Sequence, residues 1–125
     1  MEEVCSLLLM VTAGYLSYRS NVKVCKGDII RVRRGIYWHY GIVLSDNQII
    51  HYSSYPGHWW KKPASVRIVL WHQFLKKKKA YEIYYSAKSG SEGERIISRA
   101  LQRIGEEKYS LLFNNCKQFV DDCRK

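Results

Sequence analysis

The 125-residue sequence predicts one α+β domain, an antiparallel sheet followed by helices. Three observations carry that expectation. Between residues 28 and 85, short runs rich in β-branched and aromatic residues are separated by Gly, Pro, Ser, Asp and Asn. Apolar residues at helical spacing appear only after residue 93. Hydrophobic residues make up 46% and charged residues 26%, the composition of a globular chain with one core.

Residues 4–16 are almost wholly apolar and read equally as a buried strand or a short helix. Segment 1–23 is therefore taken as an N-terminal piece packed on the domain, and 24–125 as the domain itself. Asp28 to Arg34 is the first strand, broken by Gly35, and Trp38 to Leu44 is the second. Ser45-Asp46-Asn47 has turn composition, so Gln48 to Tyr52 is the third strand and closes a hairpin. Residues 53–64 form a loop containing Pro56, Gly57 and Pro63. Val66–Leu70 and Tyr81–Tyr85 read as fourth and fifth strands; Trp71–Leu75 is ambiguous, Lys76–Lys79 is a solvated basic run, and Ser86–Gly93 is a polar linker. Ile96, Ile97, Ala100, Leu101 and Ile104 share one helical face, with Glu92 and Glu94 near its start and Gly105 at its end. Tyr109–Phe113 is an extended link. Asn114 or Asn115 then caps a second helix over Cys116–Arg124, with Phe119, Val120 and Cys123 facing inward.

The hairpin turn dictates a register. A three-residue turn at 45–47 pairs Leu44 with Gln48, Gly41 with His51 and His39 with Ser53. His39 and His51 then lie on one face as diagonal neighbours, with Cβ atoms about 7–8 Å apart or less. A slip of one residue would send them to opposite faces. Cys116 stands at a helix start, where unpaired N–H groups and the helix dipole favour a thiolate. A cysteine so placed, packed on a sheet that presents a histidine, is the layout of thiol catalysis: the histidine takes the thiol proton and a second polar residue orients it.

Gly27-Asp28-Ile29-Ile30, Trp38-His39-Tyr40-Gly41-Ile42 and Ile49-Ile50-His51-Tyr52 resemble the first half of the lecithin:retinol acyltransferase-like (H-box/NC) family. The family motif has G-D, a strand, H-(W/F/Y)-(A/G)-I and a second His twelve residues after the first, the separation of His39 and His51 here. Tyr109 to Val120, containing Asn114-Asn115-Cys116-Lys117-Gln118-Phe119-Val120, resembles the family's N-C-E-H-F-V box, with Lys117-Gln118 replacing the E-H. The resemblance covers roughly 24–125. It implies a circularly permuted papain-like fold of the NlpC type. It also implies Cys116 as nucleophile, His39 as general base, His51 as the residue orienting His39, and Tyr40 and Asn115 as shaping the site. In active relatives the cysteine is acylated by a phospholipid ester and passes the acyl group on, without a cofactor. The implied activity is that of a thiol-dependent phospholipase or acyltransferase. The alternative is a catalytically weak or inactive H-box/NC protein, as among divergent picornaviral members, serving as a binding or regulatory module for a host protein, a membrane or RNA.

Charge bears on partners. The net charge of +10 attracts polyanions, either an anionic membrane surface or nucleic acid. Trp59-Trp60 beside Lys61-Lys62, and the run Lys76, Lys77, Lys78 and Lys79, are the candidate surface. Aromatics beside lysines suit lipid insertion or base stacking. No Gly-rich phosphate loop supports nucleotide chemistry, and the four cysteines and four histidines have no zinc spacing, so neither nucleotide nor metal is expected. Glu2 and Glu3 precede the apolar run Val4–Leu16, against a secretory signal, and the run is too short to span a bilayer. With no C-x-x-C pair, free thiols in the cytoplasm are expected, with peripheral membrane contact.

Overall fold

A computed structural model describes residues 24–53, 63–78, 80–110 and 113–125. Five strands, β1 (Ile29–Arg34), β2 (Tyr37–Val43), β3 (Gln48–Ser53), β4 (Ser65–Leu70) and β5 (Glu82–Tyr85), form one sheet in the order β4-β3-β2-β1-β5. Every neighbouring pair is antiparallel. Among the described residues three helices accompany it: α1 (Trp71–Leu75), α2 (Gly90–Leu101) and α3 (Cys116–Arg124). This is the expected α+β arrangement.

The sheet is covered on both faces, which explains the consecutive apolar pairs Ile29-Ile30, Ile42-Val43 and Ile49-Ile50. On one face Ile29, Ile42, Ile50 and Tyr52 pack against Ile96, Ile97 and Ala100 of α2 and Phe119 and Val120 of α3. On the other, Ile30, Val32, Val43, Ile49 and Val69 pack against Trp71, Phe74 and Leu75. The ambiguous 71–75 segment is thus a short helix, held by the burial of three of its five side chains.

The β1–β2 hairpin turns on Gly35 and Ile36, with Gly35 at φ +61°, the glycine position of a type II′ turn. The β2–β3 register is the expected one: Gly41 opposite His51, Ile42 opposite Ile50 and Val43 opposite Ile49. The β2 residues before it, Tyr37–Tyr40, pair with β1. The anticipated His39–Ser53 pair is absent from the register, and both residues line a cleft instead.

Two helix expectations need correction. α2 begins at Gly90, inside the stretch read as a linker, because Ser89 caps it by accepting from the Glu92 amide at 3.1 Å. The Glu92 carboxylate in turn accepts from the Lys88 amide at 2.5 Å and the Tyr85 hydroxyl at 2.6 Å. The helix also ends at Leu101, before Ile104, and both of these residues are about 40% exposed rather than inward. Turns follow to Gly105, whose amide donates to the Val66 carbonyl at 2.9 Å and so docks the chain beside β4.

The Gly27-Asp28 pair has a structural cause. Gly27 has φ +90°, and a Cβ there would lie 2.3 Å from the Cα of Gly93 in α2. Asp28, buried, accepts from the amides of Cys25 at 2.9 Å and Ala87 at 2.8 Å, tying β1 to the chain leaving β5. Gly27→Ala should therefore lower unfolding stability by roughly 2–3 kcal/mol, through both backbone strain and backbone overlap. Urea denaturation checks this, and a wild-type midpoint would refute it.

Cys25 is disulfide-bonded, which corrects the expectation of free thiols at that position. Cys116 and Cys123 are free, as expected. Bonding requires two Cα atoms within about 7 Å, which sequence spacing alone does not reveal.

Candidate active site

His39 on β2 and His51 on β3 are both buried, and their Nε2 and Nδ1 atoms lie 2.8 Å apart. The rings meet edge to face at 77°. The pair forms because the register places both side chains on the α1 face, where Phe74 packs against the two rings at 5.4 and 5.8 Å between centroids. Gly41, between them in the ladder, keeps this contact open, since a Cβ there would meet the Phe74 ring at 2.6 Å.

Burial dominates their ionisation. It pulls the His39 imidazole well below its usual range, helped by the charges of His51, Arg34 and Lys76. It lowers His51 to about 3, with Arg67, Arg34 and Lys76 pushing in the same direction. Both rings are neutral near pH 7, so a single proton sits between the facing nitrogens. With its Nε2 engaged by His51, only Nδ1 of His39 is left to meet a third group.

Cys116 is the first residue of α3, and the helix start is well built. The Asn115 side chain accepts from the Gln118 amide at 3.0 Å, while Gln118 Oε1 accepts from the Asn115 amide at 2.9 Å. This is a capping box, so Gln118 has a clear local role at the position where the family motif carries His. Cys116 Sγ lies 4.0 Å from the carbonyl oxygen of Trp38, the residue preceding His39. Backbone amides of Tyr40, Cys116 and Lys117 face the sulfur.

A cleft of about 550 Å³ brings these groups together; His39, Tyr40, Asn115 and Cys116 line it with Tyr37 and Tyr109. His51 stands behind His39 and lines a different cavity. Tyr40 lines the cleft, its ring buried edge-on to Tyr84 and its hydroxyl accepting from Arg31 Nη1 at 3.2 Å. The activated-thiolate expectation needs correction, however. Burial pushes the Cys116 thiol up, outweighing the three backbone amides and Arg34 that pull it down. Burial thus favours the neutral thiol of Cys116 and the neutral imidazole of His39, and both residues line the one cleft. Cys123, buried in the core, is raised to about 11, again by burial first.

Sequence reasoning missed what holds the approach to Cys116. Arg103 makes a bidentate pair with Glu106, at 2.8 and 2.7 Å, and Asn114 Nδ2 donates to Glu106 at 3.0 Å. The Arg103 guanidinium, first among its causes, lowers Glu106 to about 2. Tyr52 of β3 accepts from the Lys108 amide at 2.7 Å, tying the same segment to the sheet. An Arg three residues before a Glu was the available signal.

The expected polyanion surface is only partly visible. Trp59, Trp60, Lys61, Lys62 and Lys79 lie outside the described residues. Lys77 and Lys78 are exposed, and Lys76 lines the cavity beside His51. Among the described residues no helix is long and apolar enough to cross a membrane, and no group of His, Cys, Asp and Glu is placed to hold a metal ion.

Comparison with known proteins bears on this geometry. Residues 22–125 match the family described as Lecithin retinol acyltransferase. The chain is similar to proteins of that name from Rattus norvegicus, 29% identical over 124 residues, covering 79% of this chain and 53% of the relative. It is also similar to those from Bos taurus, 28% identical with coverages of 79% and 54%, and Homo sapiens, 28% identical with coverages of 89% and 59%. The chain thus spans little more than half the length of these relatives.

Proposed function

Because the chain belongs to the lecithin retinol acyltransferase family, we propose that it is a cysteine acyltransferase or phospholipase acting on phospholipid esters through an acyl-thioester on Cys116. The observation that carries this is the buried His39–His51 pair at 2.8 Å, with His39 and Cys116 lining one cleft.

In the proposed reaction the Cys116 thiol gives its proton to Nδ1 of His39 as sulfur attacks the ester carbonyl carbon. His51 accepts the Nε2–H of His39, which fixes the tautomer with Nδ1 bare and stabilises the imidazolium as it forms. The backbone amides around the sulfur are the donors available to the developing oxyanion. The carbon–oxygen bond to the glycerol then breaks, and His39 returns the proton to the departing alkoxide. Water, an amine or an alcohol attacks the thioester next. His39 takes the proton of the attacking group and passes it to the leaving sulfur, restoring the thiol.

The substrate side fits a lipid interface. The cleft wall residue Tyr37 adjoins Ile36, 95% exposed at the hairpin tip, and Phe113, 79% exposed, lies two residues from Asn115. Apolar side chains at a cleft mouth on a chain of net charge +10 suit approach to an anionic membrane surface.

The test is intact-mass spectrometry after incubation with a phospholipid in vesicles. A mass increase of one acyl group, mapped to Cys116 and released by hydroxylamine, is the expected result. Acylation at Cys123, or none under conditions where the protein is folded, would overturn the assignment.

A further inference from the structure

We propose that the cavity behind His51, where Arg34, Arg67 and Lys76 converge, is a binding site for a phosphoryl group. The cavity holds about 530 Å³ and is distinct from the cleft that contains Cys116. Its three cations come from separate places in the fold: the end of β1, the middle of β4 and the turn after α1. Among the described residues no carboxylate lines it. Gln73 and the hydroxyl residues Ser53 and Ser65 add neutral polar groups.

Two further observations favour an anion as the ligand. Arg34 Nε and His51 Nε2 are buried nitrogens with no hydrogen-bond partner, and both residues line this cavity. Leaving such groups unsatisfied costs free energy that a bound acceptor would recover. Arg34 is held in place meanwhile, its Nη2 donating to the Phe74 carbonyl at 2.6 Å. Lys76, the one non-glycine residue with positive φ among those described at +56°, lines the same cavity. Burial, and then the neighbouring Arg34 charge, lowers the Lys76 ammonium. Three positive groups lining one cavity with no carboxylate beside them match a dianion.

The site has a consequence that rests on the acyl-transfer reading. An anion on this side accepts a hydrogen bond from Nε2–H of His51. Nδ1 of His51 is then unprotonated and accepts from Nε2–H of His39, 2.8 Å away. The bare Nδ1 of His39 is the form needed to receive the thiol proton. Phosphoryl binding would therefore select the working tautomer of the pair.

The experiment measures binding, not acyl transfer, so the two readings fail separately. The full chain, labelled with ¹⁵N at histidine, is titrated with inorganic phosphate against sodium chloride at matched ionic strength. The His51 resonances are assigned with His51→Gln. Phosphate should shift them saturably, with Nε2 taking the protonated form, and should raise Tm beyond chloride. Arg67→Gln and Lys76→Gln should each weaken the phosphate affinity about tenfold or more. If either variant fails to fold, the wild-type titration decides. Glycerophosphocholine distinguishes sources: displacement of phosphate by it identifies a lipid headgroup, and phosphate binding without displacement identifies free phosphate or a phosphomonoester. Equal responses to phosphate and chloride at His51, or unchanged affinity in folded Arg67→Gln and Lys76→Gln, would overturn the site.

Discussion

Acyl transfer by the Cys116→Ala protein is expected to be undetectable, and His39→Ala should cost about 10³–10⁴-fold in kcat/KM. The nucleophile and its base act as one unit, so the double variant should be no slower than Cys116→Ala alone. His51→Gln should lose less than His39→Ala, because Gln can still accept from Nε2–H of His39 across the 2.8 Å contact. The pH profile separates this from a merely structural role. Burial lowers His39 and raises the Cys116 thiol, so the neutral thiol–imidazole form spans a wide range. The rate should be flat from below pH 6.5 to above pH 9, the ordinary values for the two groups. A fully active His39→Ala protein would exclude His39 as the base, and an acid limb near 6.5 would show instead that burial does not lower it. Circular dichroism of each variant distinguishes lost chemistry from lost fold.

Acid should begin to destabilise the protein below about pH 6.5, before its carboxylates start to titrate. His51 is lowered from 6.5 to about 3 in the folded protein, by burial first, and His39 moves in the same direction. Between the two values the unfolded chain binds protons that the folded chain refuses. Stability is therefore fully present above about 6.5 and is lost as pH falls toward the folded value. At 1.36 kcal/mol per unit, His51 alone accounts for roughly 4–5 kcal/mol across that window. Glu106, lowered to about 2 by Arg103, adds a loss of the same sign below about pH 4.5. Asp28, raised by burial against its backbone hydrogen bonds, works in the opposite direction near pH 4 and is the smaller influence. Urea denaturation at pH 7.0, 5.5 and 4.5 should show a steep fall in stability, shallower in His51→Gln. Constant stability from pH 7.0 to 4.5 would show that the buried pair is not neutral in the folded state.

Much of the site is legible from local pattern. The three polar residues 45–47 and the β-branched runs beside them determine the hairpin register, and with it the placing of His39 and His51 on one face. Strand periodicity is exactingly informative here because a slip of one residue would break the pair. Asn115 before Cys116, with apolar residues at Phe119, Val120 and Cys123, locates α3 and its inward face, and those three side chains are buried. The G-D, H-Y-G-I and N-C segments suffice to indicate the family.

The start of α2 at Gly90 is also local, set by the Ser89 cap and by Glu92 reaching Tyr85 of β5. Other features depend on groups far apart in the chain. The Cys116 thiol illustrates the difference most sharply. From sequence, the helix N-terminus alone argues for a lowered thiol, whereas in the fold Cys116 is 6% exposed and burial outweighs the amides. Likewise, Arg34, Arg67 and Lys76 are far apart in the chain until the sheet and α1 gather them behind His51. Hydrogen bonding of strands, turns and caps is short-range, so patterning within a few residues determines it. Desolvation and the field of assembled charges depend on which distant segments exclude water from the same place, and that is decided only when the tertiary structure closes.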